Sequence, residues 1–121
     1  MLEIIDIGID DAVAFRWEGK ITEAEMKLVF SVLKEKIKDY GKISVYQEIG
    51  SIGGVEFEGI VEELKFLREF GLSNFKKAAV VTDKKWVQKI AEIENKIFRK
   101  IDIKCFSTDE KNEAIKFLKN A

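Results

Sequence analysis

Along Ala12–Glu18, Val13, Phe15 and Trp17 alternate with Ala14, Arg16 and Glu18. A period of two marks a strand with unlike faces. Leu2–Ile5 reads as a shorter strand before it, and the intervening Asp6-Ile7-Gly8-Ile9-Asp10-Asp11 has the Gly and Asp residues of a turn, so the chain is predicted to open with a hairpin. The period then changes to that of a helix, with Met26, Val29, Phe30, Leu33 and Ile37 on one stripe. Thr22 and Glu25 precede that stripe at capping-box spacing, where each side chain satisfies the other residue's free backbone N–H. Lys34, Lys36 and Lys38 suit the negative end of the dipole, and Gly41 is placed to stop the helix.

Ile43–Ile49 returns to alternation, with Ile43, Val45, Gln47 and Ile49 against Ser44, Tyr46 and Glu48. After the glycine-rich Gly50-Ser51-Ile52-Gly53-Gly54, a second helix is predicted over Phe57–Phe70, with Ile60, Val61, Leu64, Leu67 and Phe70 on its stripe. Ala78–Thr82 is a short continuous apolar run of the kind found in buried central strands. Asp83 can cap the helix that follows, which turns Trp86, Val87, Ile90 and Ile93 inward. Ile101–Phe106 is the fifth strand, Ser107-Thr108-Asp109-Glu110 is a further capping box, and Ala114, Ile115, Phe117 and Leu118 mark the last helix.

The order β-β-α-β-α-β-α-β-α makes every strand after the hairpin part of a β-α-β unit, which implies parallel neighbours joined by right-handed crossovers. The expected architecture is one α/β domain over residues 1–121, a five-stranded, mostly parallel sheet with helices mainly on one face. The alternation in three of the strands leaves the other face more polar, so that face is expected to be partly bare and to meet a partner or ligand.

Composition narrows the chemistry. The 121 residues include no His, no Pro and one Cys, Cys105. That removes Ser-His-Asp and Cys-His catalysis, imidazole acid-base work, the usual Cys/His zinc sites and an intrachain disulfide. No metal or other cofactor is expected. The net charge of −1 gives no global attraction to nucleic acid, although residues 1–70 carry 9 basic and 15 acidic side chains whereas residues 71–121 carry 12 and 7. With Met1-Leu2-Glu3-Ile4-Ile5-Asp6 broken by acids, no cleavable signal peptide or membrane-spanning run is read, and a cytoplasmic location is expected.

Ligand sites in parallel sheets form beyond the carboxyl ends of the strands, which here directs attention to Gln47, Glu48, Ser51, Thr82 and Asp83. Thr22, Asp83 and Ser107 are explained as caps, Glu56/Glu58 and Glu62/Glu63 as solvated charge, Trp17 and Cys105 as core residues. Phe57, Phe66 and Phe70, following a glycine-rich hinge, together with Trp86, are candidate apolar contacts. They would serve a small apolar or lipid-like ligand held between the 57–70 helix and the sheet, or a protein partner.

Several strings resemble the SpoIIAA-like branch of the STAS superfamily, whose fold is shared by CRAL-TRIO lipid-binding domains. They are the opening Met1-Leu2-Glu3-Ile4-Ile5, Ala14-Phe15, Gly19-Lys20-Ile21-Thr22, Lys77-Ala78-Ala79-Val80-Val81-Thr82-Asp83 with Trp86, and Ala114-Ile115-Lys116-Phe117-Leu118. The resemblance covers nearly the whole chain and implies a noncatalytic binding or regulatory domain, and the less-covered sheet face or the segment Gly50–Phe70 is expected to bind a protein partner or a second copy in a homodimer. In STAS regulators a Ser or Thr at the start of the helix after the third strand is phosphorylated. Ser51 is the hydroxyl in the corresponding loop, without the Asp and adjacent hydroxyl of the Asp-Ser-Ser/Thr-Gly pattern.

Overall fold

Five strand-forming segments assemble in chain order into one sheet in the computed structural model, which describes residues 1–20, 22–50, 74–83, 85 and 102–120. They are β1 (Leu2–Ile5), β2 (Ala12–Trp17), β3 (Ile43–Ile49), β4 (Phe75–Val81) and β5 (Asp102–Phe106). β1 pairs antiparallel with β2, and the remaining neighbours are parallel. The predicted hairpin and five-stranded α/β sheet are thus present. The predicted Phe57–Phe70 helix and most of the helix after Asp83 lie outside the described residues.

Helix α1 (Glu23–Tyr40) begins at the expected capping box: Glu25 N donates to Thr22 Oγ1 at 3.2 Å, and Thr22 N donates to Glu25 Oε1 at 3.0 Å. It ends where Gly41, at φ 80°, donates its N–H to Ile37 O, a conformation that L side chains resist. The β2-α1-β3 crossover places α1 on one face, where Val29 and Leu33 pack on Val13, Phe15, Trp17, Ile43, Val45 and Phe75. Full burial of such a side chain contributes roughly 1.5–3 kcal/mol.

The second described helix, α2 (Lys111–Lys119), follows the last strand, so no crossover fixes its side. It packs on the opposite face through Ala114 and Leu118, against Ala14, Tyr46, Ala79, Val81 and Phe106, while Ile5, Ile7 and Ile9 of the hairpin fill the remaining edge. The face expected to be partly bare is therefore covered in this region: Ser44 and Tyr46, two of its three polar members on β3, are buried. Tyr46 achieves this by sending its hydroxyl to an internal acceptor, described below.

β4 starts three residues earlier than the apolar run Ala78–Thr82 suggests, because the register slips. Ile43 opposes Phe75 but Val45 opposes Ala78, so β4 contains one residue more than β3 over this stretch. The bulge reverses the alternation: Phe75 and Ala78 both serve the α1 face, and Ala79 and Val81 the α2 face. It also accommodates Lys76, which pairs with Asp11, and Lys77. Lys77 Nζ donates to Phe117 O at 3.0 Å and to Asn120 O, and lies 4.6 Å from the Phe117 ring centroid. A cation there satisfies carbonyls that the end of α2 leaves without helical partners.

Candidate functional site

The carboxyl ends of β2 and β3 bring opposite charges into register, with Arg16 directly beside Glu48. Arg16 Nε donates to Glu48 Oε2 at 2.8 Å, and its Nη1 donates to Glu3 Oε2 of β1 at the same distance. Tyr46, two residues before Glu48 and so on the same face, donates its hydroxyl to Glu48 Oε1 at 2.8 Å. Lys111, at the start of α2, places Nζ 3.5 Å from Glu48 Oε2. One carboxylate thus ties three elements, β2, β3 and α2.

With its side chain only 12% exposed, Glu48 feels two opposed effects. Burial pushes its carboxyl up, but hydrogen bonds from Arg16 and Tyr46, with the charges of Lys111 and Arg16, outweigh burial and hold it below the usual carboxylate range. Burial and the hydrogen bond to Glu48 push the Tyr46 phenol well above the ordinary tyrosine range. The Arg16 guanidinium is correspondingly raised, chiefly by its hydrogen bond to Glu48 and then by that to Glu3. The cluster is a set of matched charges with its donors directed at one acceptor.

Farther along the rim, Asp83 accepts from Thr108 Oγ1 at 2.6 Å and from Thr108 N at 3.2 Å, joining the loop after β4 to the loop after β5. Beside it, Ser107 N and Oγ both donate to Glu110 Oε1, at 3.1 and 2.9 Å, over a 3-10 turn, Thr108–Glu110, that leads into α2. These bonds, that from the Ser107 backbone first, hold the Glu110 carboxyl low. The expected Ser107–Glu110 box is present, and Asp83 has a cross-loop role that its capping position did not disclose.

The sequence-selected residues therefore separate. Gln47 neighbours Phe15 in register and shares the α1 face, whereas Glu48 faces α2, so these adjacent residues do not form one site. Thr82 is fully buried, its N–H donating to Phe106 O at 2.9 Å, and lies beneath the rim. Ser51, Phe57, Phe66, Phe70 and Trp86 lie outside the described residues. Trp17 is a core residue as expected, although among the described residues its buried Nε1 has no hydrogen-bond partner. Arg16, Tyr46 and Lys111 were not selected from sequence. The signal available was a pair of opposite charges, Arg16 and Glu48, each interrupting an apolar strand near its carboxyl end.

Among the described residues no helix is long and apolar enough to cross a membrane. No curated protein matches the chain significantly. A crystal structure of an uncharacterized DUF3478-family protein from Shewanella loihica PV-4, described as having a SpoIIAA-like fold, superposes with a TM-score of 0.73. The two are 20% identical, and the match covers 98% of this chain and 92% of the other, which establishes a shared fold. The SpoIIAA-like family model matches residues 12–119, from the first residue of β2 to the last of α2, and the chain belongs to the SpoIIAA-like family.

Proposed function

We propose that the chain is a noncatalytic binding or regulatory domain that acts through contacts with another protein or a second copy of itself. The observation that supports this reading is the state of Glu48, the acid at the carboxyl end of a central strand. A carboxylate surrounded by Arg16, Tyr46 and Lys111 and held ionised is a poor proton acceptor, and its donors serve the joint between sheet and α2. The polar groups where α/β domains usually place reactive ones are here used to fasten structure.

Sedimentation across the micromolar range, combined with crosslinking of the tagged chain in extract of its own source, tests the reading. A concentration-dependent dimer or a stoichiometric crosslinked partner is expected. A strict monomer that crosslinks to nothing in stoichiometric amount overturns it.

A further inference from the structure

The hydrogen-bond phase of the hairpin identifies which backbone groups of β1 face away from the sheet. Glu18 N donates to Met1 O at 2.8 Å, so Met1 and Glu18 form a hydrogen-bonded pair. Trp17 O accepts from Gly50 N on the β3 side, so Leu2, opposite Trp17, directs its own N–H and C=O outward. The outward direction is confirmed by Glu25, whose Oε2 reaches from the first turn of α1 to accept from Leu2 N. The alternation then makes Glu3 a bonded partner of Arg16 and turns the N–H and C=O of Ile4 to the outer edge of β1, which no other strand pairs among the described residues.

The side chains along this edge are equally distinctive. Ile4 is 47% exposed, on the same face as Leu2. α1 returns across the sheet antiparallel to β2 and hence runs parallel to β1. One turn beyond Glu25 on the same side of the helix is Leu28, 48% exposed, so Leu28 and Ile4 flank the same stretch of edge. Glu25 stands at one end of that stretch, its Oε2 also 4.0 Å from the Met1 ammonium, and Asp6, exposed and accepting from Gly8 N at 2.8 Å, stands at the other. The edge therefore reads acid, apolar, acid over about 13 Å.

We propose that the open edge of β1 receives an extended segment of a partner protein in which an apolar residue lies between two basic ones at alternate positions. This rests on the protein-contact reading above and names the surface and the chemistry. Backbone pairing at Ile4 would supply attachment, Leu28 and Ile4 would cover the apolar residue, and Glu25 and Asp6 would meet the basic ones. A second copy of this chain fits less well. Antiparallel pairing of two β1 strands about Ile4 sets Asp6 of each copy against Leu2 and Glu25 of the other, acid against acid on both sides of the dyad.

The test uses the whole chain and a capped peptide, Lys-Thr-Val-Thr-Lys, followed by amide chemical shifts. Saturable shifts confined to β1 and the first turns of α1 are expected, with roughly tenfold weaker binding for the peptide with Glu in place of Lys. N-methylation of the central Val amide should abolish binding. Ile4→Pro removes an outward N–H and leaves the β2 ladder intact, so it should also abolish binding with α2 shifts unchanged. Leu28→Ala, a surface change that folds regardless, should weaken binding roughly tenfold.

Equal binding of the N-methylated peptide, or shifts elsewhere on the chain, overturns the proposal. So do concentration-dependent shifts at Ile4 without peptide, which would assign the edge to self-pairing. If Ile4→Pro still crosslinks to its stoichiometric partner, the protein-contact reading stands and this edge is removed from it.

Discussion

Tyr46→Phe removes one oxygen from the cluster that fastens α2 to the sheet. The hydroxyl lies 2.8 Å from Glu48 Oε1 on a residue 1% exposed, so no water replaces it without a rearrangement of the core. A hydrogen bond to a charged group contributes about 1.5–3 kcal/mol, and the substitution should lower stability by that amount near neutral pH. For a domain of this size that corresponds to a fall in Tm of roughly 4 °C per kcal/mol.

The pH dependence of this effect carries the stronger test. Glu48 is held below its unfolded-state value, so the stabilisation it confers is fully present above the ordinary carboxylate pKa of about 4.3 and is lost as pH falls through the lower folded value. Once Glu48 is protonated, Tyr46 faces a neutral acceptor, and the difference between the two proteins should shrink to about half. Urea unfolding at a series of pH values measures it, with an unchanged m-value showing that the folded states are comparable. A Tyr46→Phe protein within about 0.5 kcal/mol of the parent at neutral pH, or a difference that stays constant into acid, would refute the coupling to an ionised Glu48.

Three further outcomes follow from other contacts. Lys77→Met should cost about 1–2 kcal/mol and speed hydrogen exchange in α2 while leaving α1 protected, since the ammonium bonds Phe117 O and Asn120 O; equal loss in both helices would contradict this. A double-mutant cycle of Asp83→Ala with Thr108→Val should give a coupling of about 0.5–2 kcal/mol in thermal unfolding, and additivity would show that the loops are joined by other means. Trp17→Phe should change stability by less than about 1 kcal/mol, because relief of an unpaired buried N–H offsets the lost packing; a loss above about 2 kcal/mol in urea unfolding would reveal an acceptor for Nε1.

The parts of this fold legible in the sequence are those set by neighbours within one or two turns. Thr22 and Glu25, three residues apart, specify the start of α1, Gly41 specifies its end, and the alternation over Ile43–Ile49 specifies β3. What escaped depends on register and on late chain geometry. The bulge in β4 breaks the period of two at Lys76 and Lys77, so the strand's first residues resemble a loop. The covering of the polar face by α2 follows no local rule, since a helix after the last strand is free to choose its side. The cluster at Glu48 needs Arg16 from 32 residues earlier and Lys111 from the final helix, and neither spacing has a periodic signature.

The extra residue in β4 acts as a phase shift in a two-beat pattern. Upstream of it the strand sends alternate side chains to one core, and downstream it sends the opposite set. Losing one of Lys76 and Lys77 would remove the offset and leave Phe75 and Ala78 two apart, both still on the α1 face, with Ala79 and Val81 still on the α2 face. One residue lost beyond it, between Ala78 and Val81, has no such slack and turns Val81 from the α2 core to the α1 face. In this strand the place of a length change, more than its size, decides whether a side chain changes core.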